Sequence, residues 1–102
     1  MPRFWLIYEM GIQGDYSRLY EWLDRHQAKE CGEGAATFVL KSTQEELGKQ
    51  LAEIVKKEDR ARLYLIGKKK DGPYLGSFIF GKRKRPSWVG SAELAGGVDQ
   101  EE

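Results

Sequence analysis

The first uninterrupted run of apolar positions along the chain is Phe4-Trp5-Leu6-Ile7-Tyr8, closed by the carboxylate of Glu9. A strand with one wet face alternates apolar and polar residues. Here Phe4, Leu6 and Tyr8 on one face and Trp5 and Ile7 on the other all favour burial. The pattern therefore predicts a central strand whose sheet is covered on both sides. The period then lengthens. Tyr16, Leu19, Tyr20 and Leu23 fall at i, i+3, i+4 and i+7, predicting an amphipathic helix that Asp15 caps and that ends near His26. Gln27 to Glu33 is short and polar, as suits an edge strand. Gly32-Glu33-Gly34 turns it into a second apolar strand, Ala35 to Lys41.

A second helix follows, opened by a capping box in which Thr43 and Glu46 satisfy each other's exposed backbone donors. Leu47, Leu51, Ile54 and Val55 form its buried stripe, and Lys56 and Lys57 suit its negative end. Gly48 within that stripe costs about 1 kcal/mol relative to alanine and marks close packing on the sheet. Arg62 to Ile66 is a third apolar strand. Lys68 to Pro73 is a charged loop with Asp71-Gly72 turn chemistry, and Tyr74 to Phe80 returns as the partner strand of a hairpin.

Strand, helix, strand, strand, helix, strand, with one more strand appended, is an α+β order. Right-handed crossovers then place the first and third strands centrally and both helices on one face. The expectation is a ferredoxin-like βαββαβ sandwich with an extra C-terminal hairpin strand and an antiparallel sheet. Residues 1–93 make a single domain, and 94–102 are expected to be a disordered tail. Because the helices cover one face only, the apolar second face predicts a homodimer joined sheet to sheet.

Composition narrows the function. With 102 residues there is room for one domain, and 40% hydrophobic against 32% charged content is that of a folded globular chain. No apolar run approaches a membrane span and no signal peptide is visible, so a cytoplasmic protein without a membrane partner is expected. One cysteine, Cys31, excludes an internal disulfide and a thiolate metal site, and the single histidine, His26, removes most zinc chemistry. Cys31 is expected to be small and partly buried, and His26 to close a helix. Gly11-x-x-Gly14 lacks the rest of a phosphate fingerprint and is expected to be a plain turn.

The net charge of +1 conceals an asymmetry. Between Arg60 and Arg85 nine basic residues stand against one acid, Asp71, which points to an anionic partner. Lys68, Lys69 and Lys70 flank one end of the hairpin; Lys82, Arg83, Lys84 and Arg85 flank the other. A strand of six residues separates them by roughly 20 Å, so they form two patches. Either can follow a phosphate backbone, and Trp88 is placed to stack on a base. Glu9 at the strand end is the candidate acid, either holding a metal with its symmetry mate or paired with Arg3 or Arg62.

The residues Trp5-Leu6-Ile7-Tyr8-Glu9, Gly14-Asp15-Tyr16-x-x-Leu19-Tyr20, Thr37-Phe38-Val39-Leu40 and Asp59-Arg60-x-Arg62-Leu63 together resemble a family. It is the small CRISPR-associated spacer-acquisition (Cas-two) family with its VapD-like and SinR-like ferredoxin-fold relatives. The resemblance spans Phe4 to Gly67. It implies a homodimer and, in some members, cleavage of RNA or DNA with Mg²⁺ or Mn²⁺ held by an acid at the first strand's end. Glu9 stands at that position, where the family carries aspartate. Other members are binding platforms. The leading expectation is thus a homodimer that binds DNA or RNA through Lys68, Lys69, Lys70, Lys82, Arg83, Lys84, Arg85 and Trp88. One alternative is a metal-dependent endoribonuclease or DNase with Glu9 as catalytic residue and metal ligand. Another is a non-catalytic dimer that binds a further protein at its sheet edge.

Overall fold

Leu6 lies at the centre of the molecule, completely shielded from solvent between Ala36 on one neighbouring strand and Leu65 on the other. The computed structural model describes residues 1–69 and 71–93. Lys70 and the tail expected at 94–102 lie outside the described residues. The elements are β1 (Arg3–Glu9), α1 (Ser17–Arg25), β2 (Lys29–Gly32), β3 (Ala35–Val39), α2 (Gln44–Val55), β4 (Arg62–Lys68) and β5 (Tyr74–Phe80). They form a five-stranded sheet in the order β2-β3-β1-β4-β5, with every neighbouring pair antiparallel. This is the α+β, ferredoxin-like arrangement that the element order predicts, with β1 in the middle and β5 added beyond β4.

One face of the sheet builds the core. Phe4 and Leu6 of β1, Ala36 and Phe38 of β3, and Leu63 and Leu65 of β4 pack with Leu19, Trp22 and Leu23 of α1 and Leu47, Leu51 and Val55 of α2. Phe4 and Phe38 stack at 5.8 Å between ring centroids, and Trp22 meets Phe38 edge-on at 5.1 Å. The stripe of α1 is rotated from the expected one: Trp22 is core, whereas Tyr20 is half-exposed. Tyr20 instead joins Tyr8 and Tyr16 in an aromatic cluster at the core's margin, where a phenol keeps its hydroxyl in water.

The helix ends follow local chemistry. The N-cap of α1 is Tyr16 rather than the expected Asp15; Asp15, one residue earlier, accepts from the Ser17 backbone N–H at 2.9 Å and from its hydroxyl at 2.6 Å, which holds the Asp15 carboxyl below its usual range. His26 closes the helix, stacked on Trp22 with ring centroids 4.0 Å apart. In α2 the capping box is present in full, with Thr43 Oγ1 accepting from the Glu46 N–H at 3.1 Å. A Cβ on Gly48 would lie 3.0 Å from Ile79 Cγ2, so the bare position lets α2 approach β5 closely. Gln44 adds a tie by donating from Nε2 to the carbonyls of Leu65 and Leu75, each at 3.1 Å.

Further details differ from the sequence reading, among them the second apolar strand, which ends at Val39 rather than Lys41. The polar edge strand is shorter than Gln27 to Glu33, because Gln27 takes a left-handed φ of 57° that ends the helix and delays pairing until Lys29. Cys31 is exposed rather than partly buried, because β2 is an outermost strand.

Candidate nucleic-acid interface

The sheet face opposite the helices carries two different halves. Toward the Tyr74 end of the hairpin it is apolar: Trp5, Ile7, Cys31, Ala35, Ile66 and Tyr74 surround one shallow depression. Ile7 retains 47% of its accessible surface there, although its chain neighbour Leu6 retains none. Trp5 meets Tyr74 edge-on at 5.5 Å. Toward the other end, where β1 finishes and β4 begins, the face becomes charged.

Glu9 and Arg62 are directly opposed across β1 and β4. That register brings the Arg62 guanidinium onto one carboxylate oxygen, with Nη2 at 2.6 Å and Nε at 3.0 Å from Oε1. After β5 the chain returns across this end of the sheet, and Lys84 Nζ reaches the other oxygen, Oε2, at 3.4 Å. The hydrogen bond from Arg62, with a further contribution from Lys84, pulls the Glu9 carboxyl below its ordinary value against the opposing effect of partial burial.

Of the two partners that the sequence offered Glu9, the structure selects Arg62. Arg3 instead donates to Thr37 Oγ1 at 3.0 Å. Both oxygens of Glu9 are thus occupied by cations, and a divalent ion would have to displace both. Among the described residues no three His, Cys, Asp or Glu side chains converge to hold a metal. Within one chain, the surroundings of Glu9 do not fit Mg²⁺ or Mn²⁺, which need several oxygen ligands in strict geometry.

A depressed folded-state pKa stabilises the fold above the unfolded pKa, and the benefit is lost as pH falls through the folded value. For Glu9 the loss therefore lies in the acid range, below the ordinary glutamate value of 4.5. Urea midpoints for wild type and Glu9→Gln are expected to differ most near neutral pH and to converge as pH falls well below the ordinary glutamate value. A difference that persisted unchanged into acid would show that the ion pair is not its source.

Phe78 organises the cations around this end. Its ring lies 6.0 Å from the Arg62 guanidinium and 5.4 Å from that of Arg83, with Tyr64 edge-on at 5.0 Å. A Cβ at Gly76 would fall 2.4 Å from the Tyr64 ring, so the bare backbone there is what lets the ring lie across β5. Arg62, Phe78, Arg83, Lys84, Arg85, Pro86, Ser87 and Trp88 enclose a groove of about 570 Å³. Trp88 forms one wall with 73% of its surface exposed.

The expected site residues fall into two places. Lys68 pairs with Tyr74 at the far end of the hairpin, with its ammonium 5.9 Å from the Tyr74 ring, and Lys69 follows it. Lys82 to Arg85 lie at the Glu9 end, so the two basic segments are separate patches, as the strand length predicts. Lys70 is outside the described residues. The groove brings Arg83, Lys84, Arg85 and Trp88 together and adds Arg62 and Phe78, which the sequence reading did not include among binding residues. Phe78 belongs to an apolar strand, and only its cross-strand register with Tyr64 reveals its place among arginines. Gly11 and Gly14 close a turn, with the Gly14 N–H at 3.4 Å from the Gly11 carbonyl.

No family model, curated protein or solved structure matches the chain. Among the described residues no helix is long and apolar enough to cross a membrane.

Proposed function

We propose that the chain is a small homodimeric nucleic-acid-binding protein of the CRISPR-associated spacer-acquisition type, with the groove at the Glu9 end as its binding surface. The observation that carries this reading is the concentration of Arg62, Arg83, Lys84 and Arg85 around one groove that also holds an exposed indole. Glu9 offsets Arg62 and Lys84, whereas Lys82, Arg83 and Arg85 have no carboxylate partner among the described residues. These three are the cations available to phosphates. Glu9 acts in this reading by fixing Arg62 and Lys84, which steadies the returning segment, and not as a metal ligand.

The apolar half of the same face supports the dimer. Trp5, Ile7 and Ile66 carry no charge, so the surface matches a second copy of itself about a two-fold axis without opposing like charges. The basic half stays outside that contact and is available from both copies.

Binding through counterion release weakens along a straight line in log salt, with a slope of about −0.7 per phosphate for single strands. Three phosphate contacts give a slope of about −2 in a gel-shift series, and Arg83→Ala with Arg85→Ala is expected to flatten it by about 1.4. Absence of a shift at low salt would refute the reading.

A further inference from the structure

We infer that the groove beside Trp88 is a base-stacking site for single-stranded nucleic acid, in which the indole takes a base while Arg83 and Arg85 take the flanking phosphates. The inference rests on the nucleic-acid reading above and specifies the form of nucleic acid that the groove admits. Four observations lead to it.

The two aromatic rings of the groove have different surroundings. Phe78 has guanidiniums near its ring, Arg62 at 6.0 Å and Arg83 at 5.4 Å, and Tyr64 against its edge. It serves to position arginines. Trp88 has 73% of its surface exposed and no aromatic neighbour among the described residues. Its indole is the surface left open for a planar ligand.

The backbone shapes the segment that carries that indole. The Val89 N–H donates to the Pro86 carbonyl at 3.3 Å, and the Ser91 N–H donates to the Trp88 carbonyl at 2.9 Å. Two consecutive turns thus present Trp88, and the Lys84 to Glu9 contact anchors the segment on the sheet. A stacking platform gains affinity when it is fixed before the ligand arrives.

Charge and size decide the rest. A duplex buries the faces of its bases and offers a protein phosphates and groove edges. It would engage the cations and leave Trp88 in water. A single strand offers unstacked bases beside every phosphate, and cations interleaved with aromatic rings are how such strands are held. The volume of about 570 Å³ suits a ligand of one or two nucleotide units rather than the body of a helix.

The test uses the full chain, wild type and Trp88→Ala, with a twelve-residue oligothymidylate, its oligouridylate counterpart, a duplex of the same length, an abasic strand and polyglutamate. Dissociation constants are read by anisotropy of a labelled strand and by quenching of tryptophan emission, and circular dichroism checks that the variant is folded. Single strands are expected to quench emission, and Trp88→Ala to weaken them by roughly five- to a hundred-fold while duplex binding is unchanged. The abasic strand should bind wild type about as weakly as the intact strand binds the variant. The RNA and DNA strands report which sugar is preferred, and dependence on Trp88 in either one supports the inference.

Equal affinity of wild type and a folded variant for both single strands overturns it. So does polyglutamate that matches the strands in affinity and quenching, which would make the groove a site for acidic peptides. Duplex binding without strand binding overturns this inference and leaves the broader reading standing. No binding of any nucleic acid at low salt removes both.

Discussion

Leu6→Ala is expected to lower the stability of the fold by about 2–5 kcal/mol, the cost of deleting a buried leucine and leaving a cavity that its surroundings only partly fill. Leu6 has no accessible surface and sits in the middle strand of five, paired with Ala36 and Leu65. The strands on both sides are held in register by their own ladders, so the site cannot collapse easily. Domains of this size have only about 5–15 kcal/mol in total. The loss is read as a fall in the urea midpoint at unchanged slope, and a shift below about 1 kcal/mol would mean that the core repacks around the gap.

Ile7→Glu, one residue along the same strand, is expected to do the opposite. Ile7 points away from the helices and keeps 47% of its surface, so a glutamate there can remain hydrated in the monomer. In the proposed dimer that carboxylate would be buried without a partner, in each of two copies. An uncompensated buried charge costs about 3–5 kcal/mol, which corresponds to a loss of a hundred-fold or more in association. Sizing and sedimentation should show wild-type dimers and folded Ile7→Glu monomers. Wild-type protein that is monomeric at high concentration would sink the dimer, and a variant that unfolds would place Ile7 in the monomer's own core.

These neighbouring substitutions also show what the sequence made legible. The run Phe4 to Tyr8 declares two apolar faces, and the structure puts helices over Phe4 and Leu6 and, among the described residues, none over Trp5 and Ile7. Element order sufficed for the topology because the chirality of crossovers leaves few alternatives. Strand length sufficed to separate Lys68 and Lys69 from Lys82 to Arg85.

What escaped was whatever depends on a precise rotation or a return path. The stripe of α1 turned enough to exchange Tyr20 for Trp22, which flank Leu19 and Leu23 from opposite sides of the helix, so a modest rotation about its axis decides which aromatic is buried. Glu9 read as the obvious acid because it ends the most apolar strand. Its partner Arg62 follows from antiparallel register, but Lys84 lies 75 residues away, brought back by a segment with no periodicity to read. The arginine clamp on Phe78 was hidden for a related reason. Phe78 stands opposite Tyr64 in the regular register that runs from Lys68 and Tyr74, but Arg83 comes back to its ring on that same returning segment.

The contact of Ile79 with Gly48, and the bridge that Gln44 makes to Leu65 and Leu75, bear on where the cooperative unit ends. An appended edge strand held only by its hairpin would peel away on its own and leave a four-stranded domain intact. Here α2 rests on β5 as well as on β4, so peeling the last strand strips the underside of a helix and removes the Leu75 carbonyl from Gln44. The smallest piece of chain that unfolds as one body therefore runs through Phe80, and a truncation before Tyr74 removes part of the foundation of α2 along with the edge.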